Sequence, residues 1–179
     1  MRSHSDNSSV LSGRGRKQRY LGDRGLIGLI AFLSAFIPLS TDLYLPALPG
    51  MAQYFQVSAE EVNLTLILFF VFFAAGMLFW GPWSDKYGRR PVLLIGLSIY
   101  SLAGFGCAAS QDINQLIFFR VCQALGASSA SAVATAMIKD VYESRHREVI
   151  LAWVSSMVLI SPMVAPAIGA IFLGFTSWR

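Results

Sequence analysis

Long apolar runs separated by short polar segments make up most of this chain. Five such runs cover residues 25–45, 62–83, 92–109, 113–138 and 149–175. Each is long enough to cross a hydrocarbon layer about 30 Å thick as a helix, which takes about 17–25 residues. None alternates between apolar and polar positions, as the strands of a membrane barrel do, and a helix is the other structure that satisfies the backbone in lipid. The pattern therefore predicts an all-α integral membrane protein with five transmembrane helices.

The composition supports this class. Hydrophobic residues make up 55% of the 179 residues and charged residues only 13%, whereas soluble domains carry about 25% charged residues. The charges are concentrated in the segments between the apolar runs. This distribution argues against a soluble globular protein, and the basic excess indicates topology rather than a nucleic-acid partner.

The basic residues predict the orientation. All but two of the 14 Lys and Arg residues lie on one side of the predicted membrane: six in the N-terminal tail, and three in each of the second-to-third and fourth-to-fifth connections. The opposite connections, 46–61 and 110–112, contain none. Because basic segments stay in the cytoplasm, the N-terminus is predicted to be cytoplasmic. Residues 1–24 are predicted to form a disordered basic tail there, and residues 25–179 a transmembrane bundle.

Two ionisable residues lie within the predicted spans: Asp42 near the end of the first and Arg120 in the fourth. At a rise of about 1.5 Å per residue, both lie in the outer leaflet, within about one helical turn of each other in depth. Charges in a membrane usually face the bundle interior and pair with one another, so we expect Asp42 and Arg120 to form an ion pair. The alternative is that Asp42 merely ends the first helix and that Arg120 extends outward to the membrane surface.

Small residues and prolines mark the last two spans. The fourth span has an i+4 stripe of small residues, Ala124, Ser128, Ala132 and Ala136. Such a stripe lets a neighbouring helix approach closely. The fifth span carries Pro162 and Pro166, which remove two backbone donors and predict a bend that lines or gates a cavity.

Enzyme chemistry finds no support in the sequence. No nucleophile–base set, metal-ligand spacing or phosphate-binding loop is present, and Cys107 and Cys122 lie in separate spans. We therefore predict no enzymatic activity, no metal and no cofactor.

The connection between the second and third spans, GPWSDKYGRRP at 81–91, contains more than a basic loop needs. Its carboxylate, Asp85, could cap a helix N-terminus or pair with Arg89 or Arg90. This segment resembles a signature of the major facilitator superfamily, G-x-x-x-D-R/K-x-G-R-R, which joins the second and third helices. The matching residues are Gly81, Asp85, Lys86, Gly88, Arg89 and Arg90.

Three further segments resemble signatures of this superfamily's drug:proton antiporters. Pro38 and the run DLYLP at 42–46 resemble the first-helix signature. The fourth-helix signature, R-x-x-Q-G-x-G, is matched by Arg120, Gln123 and Gly126, with Ala124 where glycine is usual. The fifth-helix motif, G-P-x-x-G-G, resembles the run 161–170, which contains Pro162, Pro166 and Gly169 and has alanine in place of two glycines. The whole resembles most the bicyclomycin/chloramphenicol-resistance (Bcr/CflA) group of bacterial inner-membrane exporters.

The resemblance implies a fold and roles for these residues. The family has twelve helices in two halves, with the substrate site between them, so this chain corresponds to the N-terminal half with its sixth helix missing. Asp85 would belong to a latch that stabilises the outward-facing state against the C-terminal half. Asp42 and Arg120 would couple transport to protons, with the proton gradient as energy source and a small drug-like molecule as substrate.

Two other functions stay open. The chain could be a truncated membrane fragment without transport activity of its own, or a facilitator of the same fold that moves its substrate without protons. Loss of proton flux in an Asp42→Asn variant, with uptake retained, would favour the antiporter.

Overall fold

The computed structural model describes residues 23–141 and seven isolated positions between residues 151 and 168. The described chain forms α1 (Asp23–Tyr44), a 3-10 turn (Leu45–Ala47), α2 (Leu48–Phe55), α3 (Ala59–Tyr87), α4 (Arg89–Ala109) and α5 (Ile113–Val141). The predicted all-helical class is confirmed. Nearly all of the predicted tail, and the predicted fifth span apart from the isolated positions, lie outside the described residues.

Four stretches of the described chain are long and apolar enough to cross a membrane. They are Gly28–Phe55, Ala59–Tyr87, Arg89–Ala109 and Ile113–Asp140. Large apolar side chains are exposed on the outside of the bundle, among them Leu78, Leu102 and Phe105. An exposed apolar surface of this kind suits contact with lipid chains.

Capping, rather than hydropathy, determines the ends of α3. The apolar run covers 62–83, whereas the helix covers 59–87. Ser58 Oγ accepts a hydrogen bond from the Glu61 amide at 3.2 Å, and Glu61 Oε2 accepts one from the Ser58 amide at 3.0 Å, which is a reciprocal capping box. At the other end Gly88 has φ +96° and ψ 156°, a conformation that is essentially restricted to glycine. The charged residues at both ends of the run therefore belong to the helix.

The chain does not leave the helical conformation where the first apolar run ends. α1 ends at Tyr44, but the 3-10 turn and α2 follow at once and continue to Phe55. Pro46 and Pro49 lie at the starts of these two elements, where a missing amide hydrogen costs no helical hydrogen bond. Gln56 ends α2 in a left-handed conformation with φ +54°. Much of the connection between the first two spans is therefore helical.

α5 is the central helix of the described bundle. It packs along α3 and α4 and, over a shorter length, against α1. Its small side chains allow this, since Ser128 lies against Gly76 of α3 and Ser129 lies against Gly96 of α4. A Cβ atom added to Gly126 would lie 2.5 Å from the backbone nitrogen of Tyr100. Small residues thus bring the backbones of α4 and α5 together, as in other membrane helix pairs.

Candidate functional site

Arg120 is buried at the meeting point of α1, α3 and α5, with only 3% of its surface exposed. It lies on α5, one turn from Leu116 and one turn from Ala124, which belong to two different apolar clusters. The Arg120 side chain therefore points into the bundle and does not extend along its surface.

Two aromatic rings and one amide contact the Arg120 guanidinium. Its Cζ lies 3.5 Å from the centroid of the Tyr44 ring and 5.4 Å from that of Phe69. Its Nη1 donates a hydrogen bond to Gln123 Oε1 at 2.9 Å. Within the described part of the chain, Nε and Nη2 have no hydrogen-bond partner. A buried cation whose donors are only partly used is costly in an apolar interior, so the site holds hydrogen-bonding capacity in reserve.

A second hydrogen bond fixes the Tyr44 ring. The Tyr44 hydroxyl lies 3.1 Å from Thr65 Oγ1, and Thr65 Oγ1 donates to the Val62 carbonyl at 2.6 Å. Because a threonine hydroxyl has a single hydrogen, Tyr44 must be the donor to Thr65. The ring is therefore held between α3, through its hydroxyl, and α5, through its face.

Asp42 is half-buried on α1, two residues before Tyr44. Two residues correspond to about 200° around an α-helix, so these side chains leave α1 on nearly opposite sides. The Tyr44 ring contacts Arg120. The Asp42–Arg120 ion pair stays a prediction, and Arg120 Nε and Nη2 do not hydrogen bond to Asp42 among the described residues.

The other fourth-span residues singled out from the sequence surround Arg120 or lie on the adjoining surface of α5. Gln123 is buried and accepts the Arg120 hydrogen bond. Ala124 is fully buried in the cluster that joins α5 to α1 and α3. Gly126 forms the close backbone contact with α4.

The turn between α3 and α4 forms a separate polar cluster around Arg89, which is 23% exposed. Its Nη1 lies 2.6 Å from Asp85 Oδ1 and also donates to Ser84 Oγ. Its Nη2 and Nε donate to Asp140 Oδ2 at 2.8 and 3.0 Å. Arg89 therefore joins the end of α3, the start of α4 and the end of α5.

The remaining residues of this turn are differently placed. Arg90 is exposed, and Lys86 lies 5.2 Å from the centroid of the neighbouring Tyr87 ring. A Cβ atom on Gly81 would meet nothing within 4 Å, whereas Gly88 needs its positive φ. Pro162, Pro166 and Gly169 lie outside the described residues.

Sequence reasoning did not single out Tyr44, Ser84 or Asp140 as contributors to these sites. Tyr44 stands inside the quoted run DLYLP, and Asp140 is an acid at the basic end of the fourth span. A search for complementary charges at the same end of different spans would have found Asp140. Nothing in the sequence pattern indicates that the Tyr44 ring contacts Arg120.

A comparison with protein families places these helices and motifs in a known fold. Residues 30–179 match the model of the Major Facilitator Superfamily. The chain belongs to this superfamily. Its described helices are the first four spans of a major facilitator protein, and the match to resistance proteins supports the bicyclomycin/chloramphenicol-resistance group.

Several relatives of this major facilitator protein carry names that refer to drug resistance. It is 36% identical over 158 residues to a chloramphenicol resistance protein of Pseudomonas aeruginosa, covering 86% of this chain and 38% of that protein. It is 28% identical over 150 residues to a bicyclomycin resistance protein homolog of Haemophilus influenzae, covering 84% of this chain and 38% of that protein. It is 30% identical over 141 residues to the multidrug resistance protein MdtL of Vibrio parahaemolyticus, covering 79% and 36%. The chain thus spans less than two fifths of the length of these relatives.

Proposed function

We propose that this chain is the N-terminal part of a proton-coupled exporter of small amphipathic compounds such as antibiotics, located in the bacterial inner membrane. The observation that carries the proposal is the buried Arg120, a permanent cation held inside the bundle. A charge at such a position is expensive and typically marks a substrate or proton pathway. The drug-resistance names of the relatives support export as the direction of transport.

Proton coupling is assigned to Asp42 and Arg120. Asp42 is the acidic residue of the first span in the same region of the bundle as Arg120, and a carboxylate that changes its surroundings during transport can take up or release a proton. In this assignment the cation of Arg120 influences when the proton leaves. The transport path itself forms between two halves of a major facilitator fold, so a C-terminal half is the partner that completes the site.

The turn around Arg89 is assigned the role of a conformational latch. Asp85 is exposed and pairs with Arg89, while Asp140 holds Arg89 from the other side. In this arrangement one face of Asp85 is still accessible to the C-terminal half. Opening and closing of that contact would accompany the change between the two orientations of the transporter.

The experiment uses membrane vesicles that contain the protein expressed from its complete reading frame, or its Asp42→Asn variant. It measures proton release and drug movement in both. We expect drug-driven proton release to fall at least tenfold in the variant, while downhill drug movement continues. Asp112→Asn is the matched control, because Asp112 caps α5 by accepting the Gln115 amide at 2.8 Å, and asparagine caps as well. The control should behave like the unchanged protein.

Other results would contradict the proposal. Drug movement by the unchanged protein without any proton release would indicate an uncoupled facilitator. Proton release that is unchanged in Asp42→Asn would show that Asp42 does not couple transport to protons. Absence of any drug movement by the unchanged protein would indicate a membrane fragment without transport activity of its own.

A further inference from the structure

The contact between Tyr44 and Arg120 suggests a role for an aromatic side chain that the motifs do not assign. We propose that Tyr44 is the positioning residue of the Arg120 site: its ring stabilises and orients the guanidinium charge from the first span. The part of this inference that concerns transport rests on the proposed function, whereas the part that concerns the charge does not.

The geometry of the contact is that of a cation over a ring face. The Arg120 Cζ is 3.5 Å from the Tyr44 centroid, well inside the distance of about 6 Å within which such pairs attract. The attraction is strongest where both groups are removed from water, and Arg120 is almost completely buried. The face of the Tyr44 ring therefore stabilises a cation that solvent does not reach.

A second ring and a hydrogen bond make the arrangement rigid. Phe69, on α3, is 1% exposed and lies 5.4 Å from Arg120 Cζ. The Tyr44 hydroxyl donates to Thr65, one turn before Phe69 on the same helix. α3 thus holds the Tyr44 ring by its edge and adds a second ring beside the cation. Gln123 then fixes Nη1 from α5 itself.

A ring differs from a carboxylate in one property that matters for transport. The attraction of a ring face for a cation does not depend on a proton, whereas that of a carboxylate disappears when it is protonated. Tyr44 can therefore hold Arg120 in place in either protonation state of Asp42. Because the two side chains leave α1 on nearly opposite sides, a rotation of α1 would move both relative to Arg120.

A double-mutant cycle on the purified protein, expressed from its complete reading frame, tests the charge part directly. The variants are Tyr44→Leu, Arg120→Met and the two combined, and the measurement is the melting temperature in detergent. We expect Tyr44→Leu to lower it by about 3–6 °C, from the size dependence of such shifts, and to lower it much less when Arg120 is methionine. Tyr44→Phe keeps the ring and loses the hydrogen bond to Thr65, so it should lower the melting temperature less than Tyr44→Leu does.

The control is Tyr54→Leu, which removes an exposed tyrosine of α2. Its effect should be the same with arginine or methionine at position 120, since distant substitutions are additive. Equal losses for Tyr44→Leu in both backgrounds would show that the ring only fills space, and would overturn the proposal.

Drug efflux provides a second measurement, which does not need the Arg120→Met variant and can be made even if that variant does not fold. Tyr44→Phe should retain at least half of the efflux rate and Tyr44→Leu should lose about tenfold or more, which corresponds to about 1.4 kcal/mol. Equal efflux by the two variants would refute a positioning role. If the unchanged protein shows no efflux, the proposed function fails, while the melting cycle still decides whether Tyr44 supports the charge.

Discussion

Arg89 and Arg90 are neighbouring arginines in the same turn, yet they differ in burial and in contacts. Arg89 is largely covered and contacts Ser84, Asp85 and Asp140. Arg90 is exposed at the start of α4. Both contribute to the predicted cytoplasmic orientation of this turn, so charge alone does not distinguish them. Arg89 has a structural task in addition, since it joins three helix ends.

We predict that Arg89→Ala destabilises the protein by about 1–2 kcal/mol, because it removes hydrogen bonds to charged groups that are partly shielded from solvent. Arg90→Ala removes the same charge from the same turn and should cost less than about 0.5 kcal/mol. Thermal unfolding of the purified variants in detergent measures the difference. Similar losses for the two variants would mean that the Asp85–Arg89–Asp140 cluster does not contribute to stability.

The sequence indicated part of this cluster. Asp85 and Arg89 are four residues apart, within reach of an ion pair across the turn. Asp140 is 51 residues from Arg89 in the chain, and no local pattern connects them. Their contact depends on α4 and α5 lying side by side with their ends level.

Among the elements, α5 shows how small residues determine helix packing. Most of its alanines and serines are buried, and they lie on several sides of α5 because the helix packs against α1, α3 and α4. Trp80 of α3 closes one side by donating its Nε1 hydrogen to the Leu125 carbonyl at 2.8 Å. The predicted i+4 stripe is thus one of several small-residue surfaces on this helix.

Gly126→Ala should be strongly unfavourable, because the new methyl group would lie 2.5 Å from the Tyr100 nitrogen and 2.7 Å from the Gly96 carbonyl oxygen. Backbone atoms cannot move aside as a flexible side chain can, so α4 and α5 must separate. We expect a loss of about 1–3 kcal/mol, as for other overpacked sites. Melting of the purified protein measures the loss of stability, and cross-linking between α4 and α5 measures their separation.

Gly104→Ala is the matched control on α4. A Cβ atom there would lie 3.5 Å from Gln123 Nε2, an ordinary contact distance, and alanine also favours the helical conformation. This variant should be as stable as the unchanged protein, or slightly more so. Equal destabilisation by both substitutions would contradict the close approach at Gly126.

For the whole molecule, the distribution of basic residues predicts the orientation. The α3–α4 turn carries Lys86, Arg89 and Arg90, whereas the α4–α5 connection carries no basic residue. We therefore expect a cysteine introduced at Gln111 to react with a membrane-impermeant maleimide in intact cells. A cysteine introduced at Tyr87 should react only after the membrane is permeabilised, and its substitution leaves every basic residue in place.

The reverse labelling pattern would show that the orientation is opposite to the predicted one, with the proposed latch on the outer side. The native Cys107 and Cys122 lie within helices α4 and α5, so the unchanged protein supplies the background for both measurements. Labelling of both sites in intact cells would indicate that the variants do not insert correctly.

What the sequence by itself determined are the properties that depend on composition and short spacing. These are the helical membrane class, the approximate spans, the expected orientation and the positions of the motif residues, since hydropathy, charge and proline or glycine act locally. Helix ends were less certain because capping groups such as Ser58 and Gly88 extend a helix beyond its apolar run.

Only the tertiary structure decided which side chains meet. The choice of Tyr44 as the ring over Arg120, and of Asp140 as a partner of Arg89, depends on the rotation of each helix about its axis and on its register against its neighbours. These are determined by many weak packing contacts, such as those of Gly96 and Gly126, acting together. A rotation of one residue, about 100°, would change which side chains meet without changing the hydropathy pattern.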